Sequence, residues 1–108
     1  MVLVVNTVYF PANKSAEVGK KYLEILKMVP PDKTLAKIII PLAIRITHEG
    51  MKAFSVVEVK KGKFKEWMQQ HYKEVLSFAE LEGFKQEIEV FMSGGDALPL
   101  VGLNMPNL

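Results

Sequence analysis

Three side chains that could bind a ligand or take part in catalysis lie on otherwise apolar faces of the predicted elements: Asn6, Trp67 and His71. His71 follows Trp67 by one turn within a helical stripe of apolar residues, and Asn6 lies among valines in a strand-like segment. An imidazole can act as a general acid or base close to neutral pH. Two interpretations remain open: the three residues line a ligand pocket, or they are buried polar groups whose hydrogen bonds are satisfied within the core.

Tyr22 belongs to a second apolar stripe, on the first predicted helix. If that helix packs on the same side of the sheet as the helix that carries His71, Tyr22 either lines the same pocket or packs in the core. Glu74, three residues after His71, is expected on the polar face of its helix. The predicted ligand-binding residues are therefore Asn6, Tyr22, Trp67 and His71. The catalytic candidates among them are Asn6, Trp67 and His71.

Hydrophobic periodicity predicts the elements that position these residues. A period of two predicts strands and a period near 3.6 predicts amphipathic helices. Pro30-Pro31 and Gly83 mark helix ends, because proline cannot continue a helix and glycine favours the position after one. Residues 32–41 admit either a short helix capped by Asp32 or a direct entry into the second strand. The predicted strands cover residues 2–10, 42–48, 51–60 and 84–92, with a start near Ile38 as an alternative for the second strand. The predicted helices cover 16–29 and 63–81.

The predicted order β-α-β-β-α-β indicates a ferredoxin-like α+β domain over residues 1–92, with a four-stranded antiparallel sheet and two helices on one face. Pro41 favours an edge position or a bulge for the second strand. Residues 93–108 form an apolar tail that contains Gly and Pro. We expect part of this tail to pack against another protein surface and not to stay fully solvated.

The alternation of strand residues assigns two faces to the sheet. Asn6 and its neighbours of the same parity are expected under the helices. The opposite face carries many apolar residues: Leu3, Val5, Tyr9, Phe54, Val56 and Phe91. A water-exposed face of this character predicts a partner. The simplest is a second copy that packs sheet to sheet in a homodimer.

The element order, the hairpin Gly50-Met51-Lys52-Ala53-Phe54 and the helix start Phe64-Lys65-Glu66-Trp67 resemble the dimeric α+β barrel superfamily. This resemblance covers about residues 2–92 and implies a homodimer that binds a small apolar molecule between helices and sheet, with no assigned activity. It also implies an alternative: an antibiotic-biosynthesis-type or haem-linked monooxygenase. The haem-degrading members use Asn on the first strand and Trp and His on the second helix; Asn6 and Trp67 match those positions, whereas His71 lies earlier in the helix.

Composition restricts the other function classes. The chain has 108 residues, no Cys, a net charge of +2 and a single Arg, Arg45. This balance argues against a nucleic-acid binder, although the first and third strands loosely resemble those of RNA-recognition motifs. No metal-ligand spacing is present, so no metal and no resident cofactor are expected. The sequence shows no basic n-region, long apolar segment or transmembrane pattern, and a cytoplasmic location is the resulting expectation.

Overall fold

The computed structural model describes residues 1–108 and contains four strands, two long helices and a short third helix. Short 3-10 turns occupy Ala12–Lys14 and Leu98–Val101. In chain order the principal elements are β1 Val2–Phe10, α1 Ser15–Met28, β2 Ala36–Thr47, β3 Gly50–Val59, α2 Phe64–Ser77, β4 Lys85–Met92 and α3 Gly94–Ala97. None of the helices has the length and apolar character needed to cross a bilayer.

The four strands form one antiparallel sheet in the order β2-β3-β1-β4. The predicted edge position of the second strand is confirmed. Its pairing with β3 shifts register between Ile38 and Ile40, just before Pro41, and again between Ile40 and Ala43, across Pro41. The irregularity is expected, since proline has no amide hydrogen to donate to the ladder.

The second strand begins earlier than Leu42, the predicted start. A turn at Asp32 replaces the capped helix that was one alternative: the Asp32 carboxylate accepts hydrogen bonds from the Thr34 amide at 2.9 Å and the Thr34 hydroxyl at 2.6 Å. Both bonds lower the pKa of Asp32, and the bond from the Thr34 hydroxyl lowers it most. β2 begins directly after this turn, at Ala36.

The C-terminal segment forms α3, capped by the Ser93 hydroxyl, which accepts from the Asp96 amide. Met105 lies over Gly94, so the end of the chain folds back on this helix. Most apolar side chains of the tail nevertheless stay exposed, Leu108 almost completely. Within a single chain, only a small part of the tail packs against the rest of the protein.

Both long helices pack on the same face of the sheet, but they meet it in two separate places. At one end, Val4, Ala36 and Val59 form an apolar cluster with the first turns of α2. At the other end, Phe10 and Ala53 pack with Val18 of α1. The middle of the sheet, between these two clusters, is not filled by apolar side chains, and the site described below lies there.

Gly50 opens β3 at a position where only glycine fits. Its φ is +135°, and a Cβ atom there would lie 2.8 Å from the Phe10 carbonyl oxygen. We expect Gly50→Ala to lower the free energy of unfolding by about 1–3 kcal/mol, because it adds both backbone strain and a clash. Urea denaturation measures the change.

Gly19 provides the matched control for adding a methyl group. It lies within α1, and a Cβ atom there meets nothing within 4 Å. Gly19→Ala should therefore stabilise the protein by about 0.5–1 kcal/mol, through reduced backbone entropy in the unfolded chain. Equal stability of Gly50→Ala and the wild type would contradict the geometry of this turn.

Candidate functional site

A cavity of about 290 Å³ lies between the two long helices and the sheet, in the gap between the two core clusters. Hydrophobic residues make up 21 of the 33 that line it, and the rest include a small set of polar side chains. The volume is at the lower end of the range for small-molecule pockets, about 300–1,000 Å³. All four residues predicted from the sequence line this cavity: Asn6, Tyr22, Trp67 and His71.

His71 is held on α2 with its ring stacked on the Trp67 indole. The ring centroids are 4.7 Å apart and the planes differ by 12°. The side chain of His71 is only 12% exposed, and its Nε2 atom is buried with no hydrogen-bond partner in the protein. Buried polar atoms are nearly always paired, so this nitrogen is an exception within the packed part of the wall.

The prediction for Glu74 holds only in part. Its side chain is one-third exposed, but it also lines the cavity, and its Oε2 atom lies 3.6 Å from His71 Nδ1. Residues three apart in a helix are neighbours on its surface, so the spacing from His71 was the available signal. The apolar stripe of α2 is wide enough that its edge, where Glu74 stands, still faces the sheet side.

Tyr22 reaches the cavity from α1, across from Glu74. Burial raises the pKa of the Tyr22 phenol, and the negative charge of Glu74 raises it further. The phenol is therefore a neutral hydrogen-bonding group at physiological pH.

Asn6 reaches the cavity from the sheet and is already paired. Its Oδ1 atom accepts a hydrogen bond of 2.7 Å from the Nε2 atom of Gln86. Ser55 lies directly opposite Asn6 on β3 and also lines the cavity. Gln86 and Ser55 were not predicted as site residues, although their pairing with Val8 and Asn6 of β1 puts them on the side of the sheet that carries Asn6. The polar floor of the cavity thus consists of an amide pair and a hydroxyl.

The charges around the cavity are one-sided. None of the 14 Lys and Arg residues lines it, whereas Asp32 and Glu74 do. No cluster of three or more His, Asp or Glu side chains is arranged to bind a metal ion. A haem does not fit these residues either, since no cation is present to pair with its propionates and the volume is small for a macrocycle.

Chemically, this arrangement can hold a small apolar molecule and offer it a few fixed hydrogen-bonding groups. The stacked Trp67 fixes the His71 ring, and Glu74 lies beside its other nitrogen.

No protein-family model matches the sequence, and no curated protein matches it significantly. Among solved structures, the de novo designed protein Foldit4 has a similar backbone, with a TM-score of 0.53. It is 11% identical, and the match covers 85% of this chain and 96% of that chain. At this identity the likeness concerns the fold alone, because unrelated functions share such architectures. The chain is thus a small α+β protein with a four-stranded antiparallel sheet.

Proposed function

We propose that this protein binds a small, mostly apolar molecule in the cavity between the two long helices and the sheet. The observation that carries the proposal is the largely apolar space of about 290 Å³ between helices and sheet, with a few polar side chains such as Asn6, Ser55 and Tyr22 in its wall. Protein interiors are normally close-packed, with few voids larger than a water molecule. A wide apolar space lined by a small number of polar side chains is the pattern expected of a ligand site.

The unfilled apolar space supports the same proposal, because the side chains around it lack packing contacts that a bound molecule would supply. A bound molecule would recover much of this loss, since a ligand that binds only the folded state stabilises it.

The test is a titration with N-phenyl-1-naphthylamine, a neutral apolar fluorophore. Trp67 is the only Trp in the chain and lines the cavity, so energy transfer from its indole reports proximity. We expect saturable binding of one probe per chain, with quenching of Trp67 emission. A linear, unsaturable increase in probe fluorescence would contradict a defined site.

The exposed apolar tail could also attract such a probe, so the titration needs a control. Leu100 and Val101 are both about three-quarters exposed, at 75% and 72%. A variant with serine at both positions should bind the probe with unchanged affinity. If the double variant loses binding, the tail and not the cavity is the site.

A second candidate function is a cofactor-independent monooxygenase that oxidises the bound molecule with O₂. The observation in its favour is that Asn6, Trp67 and His71 line one cavity. An oxygen electrode tests it with a panel of electron-rich phenols. If O₂ is consumed and Asn6→Ala abolishes the consumption, the monooxygenase is supported. If no O₂ is consumed, it is rejected, and binding remains the only proposed function.

We further infer that the sheet order β2-β3-β1-β4 represents a ferredoxin-like fold and that two copies pair through their open sheet faces, as in dimeric α+β barrels. Register places Val5 directly opposite Val56, and Thr7 opposite Phe54, on the face away from the helices. Phe91, opposite Leu3, is 46% exposed. Apolar patches of this kind usually mark an interface.

The charges on the open face support a particular orientation of the two sheets. Arg45, Lys52 and Lys85 cluster at one end of the strands, where Tyr9 lies. Glu58 and Glu89 lie towards the other end, opposite Leu3 and Val5, where Lys37, paired with Glu58, offsets part of the negative charge. A two-fold axis perpendicular to the strands would place the basic end of one sheet over the acidic end of the other.

A further inference from the structure

We infer that the ligand of the cavity is a small apolar amine, which binds as a cation with its ammonium group at the Glu74 carboxylate. This inference rests on the proposed binding function and specifies its ligand class. It follows from the charges that line the cavity, from the surroundings of Glu74, and from the aromatic side chains beside it.

The charges that line the cavity favour a cationic ligand over an anionic one. Two carboxylates line it, those of Asp32 and Glu74, and none of the Lys and Arg side chains does. An anion inside would lose its hydration and meet like charges, whereas a cation would meet opposite ones. This preference is local to the cavity, because the chain as a whole carries a net charge of +2.

Of the two carboxylates, that of Asp32 is already engaged by the protein. It belongs to the turn before β2, where it accepts two hydrogen bonds from Thr34. The positive charges of Lys60 and Lys63 also lie close to it. A ligand cation would therefore gain little at Asp32, and Glu74 is the carboxylate that remains.

Glu74 has no permanent cation beside it. Its one ion pair is with the His71 ring at 3.6 Å, and that pair exists only while the imidazole is protonated. Lys21 and Lys73 lie in the same crevice between α1 and α2 as Glu74, but neither forms an ion pair with it, and Lys21 pairs with Glu80 instead. A carboxylate in a mainly apolar wall is stabilised by an opposite charge, and a bound ammonium group supplies one.

The position of Glu74 suits a molecule with one apolar and one charged end. Its side chain is 34% exposed and borders both the cavity and the crevice between α1 and α2. An ammonium group placed here keeps part of its hydration, while its hydrocarbon part fills the apolar space. The attraction between the two charges is also stronger beside an apolar wall than in bulk water.

Two aromatic side chains complete the surroundings of this carboxylate. Burial raises the pKa of the Tyr22 phenol and the charge of Glu74 raises it further, so the neutral phenol lies within the field of the carboxylate. Its oxygen can accept a hydrogen bond from an ammonium group. Trp67 lies two turns before Glu74 on α2 and lines the cavity, and the face of an indole attracts cations.

The experiment compares four compounds with one skeleton: 3-phenylpropylamine, 3-phenylpropan-1-ol, propylbenzene and 3-phenylpropanoate. At about pH 8 the amine is protonated, the acid is ionised and an ordinary imidazole is neutral. In calorimetric titrations the amine should bind at least about tenfold more tightly than the alcohol and propylbenzene, and the acid more weakly than either. Equal affinities of the amine and a neutral compound, or tightest binding of the acid, would overturn the inference.

Two Glu variants assign the preference to its side chain. Glu74→Gln keeps the size of the side chain but removes its charge, so the amine should lose its advantage while propylbenzene binds as before. Glu66→Gln is the matched control, because Glu66 lies on the same helix, is 61% exposed and does not line the cavity. If Glu74→Gln keeps the preference for the amine, or Glu66→Gln removes it equally, the ammonium group is not bound at Glu74.

A measurement on the wild-type protein covers the case in which Glu74→Gln does not fold. The ¹³C chemical shift of the Glu74 carboxyl group should change when the amine is added and stay nearly constant with propylbenzene. No response to the amine would contradict the inference. If the neutral compounds bind and the amine has no advantage, the proposed function stands and this inference fails. If no compound binds at all, propylbenzene included, the proposed function itself fails.

Discussion

Ser55→Leu should raise the free energy of unfolding by about 1 kcal/mol and weaken binding of apolar probes by at least about tenfold. Ser55 lies on β3 opposite Asn6 and lines the cavity. Leucine adds apolar volume to a space that the protein's own side chains leave unfilled. A filled cavity gains packing and loses its capacity for a ligand, so stability and affinity should change in opposite directions. Urea denaturation and the N-phenyl-1-naphthylamine titration measure the two effects.

Ser55→Ala separates the added volume from the lost hydroxyl. It removes the same polar group without filling the space, so probe affinity should stay within about threefold of the wild type and stability within about 0.5 kcal/mol. If Ser55→Leu destabilises the protein, the region is tightly packed and the cavity is not a binding site. If it stabilises the protein without reducing affinity, the probe binds elsewhere.

Much of the fold was predictable because the structural preferences of short sequence segments agree with the packing of the whole domain. The valine-rich first strand was predicted over residues 2–10, and β1 spans Val2–Phe10. Pro41 indicated an edge strand or a bulge, and β2 is an edge strand with register shifts beside this residue. The start of β2 at Ala36 was not predictable in the same way. It depends on the turn in which Asp32 binds Thr34, and Asp also suits a helix cap.

The site was predictable only in part, because periodicity gives faces and not distances. Parity placed Asn6 under the helices, and the helical stripe placed Trp67 and His71 opposite it. Periodicity could not show that Asn6 would pair with Gln86 or that a cavity would separate the helices from the sheet. The depth of a helix above a sheet depends on how all side chains pack, and this information is not local in sequence.

Glu74 illustrates the weakness of binary patterning at the edge of a helical stripe. A charged residue there was assigned to solvent because of its type. Its side chain is one-third exposed, so it is shared between water and the cavity. Acidic residues that border a cavity are a class that sequence patterns assign poorly, and here one of them lies beside the imidazole.

Val56→Glu should dissociate the proposed dimer, with the dissociation constant rising at least about 100-fold. Val56 lies opposite Val5 in the middle of the open sheet face. In a two-fold interface the substitution occurs twice, so two carboxylates are buried near one another without cations. Light scattering across a micromolar concentration series measures the change in mass.

Ile46→Glu is the matched control, because it makes a similar change on the same sheet. Ile46 pairs with Met51 on the helix side of β2 and is 74% exposed. This variant should keep the mass of the wild type. If Ile46→Glu dissociates the protein and Val56→Glu does not, the interface uses the apolar edge of β2 instead of the open face. A wild-type mass of 12.2 kDa at every concentration would show a monomer and reject the dimer altogether.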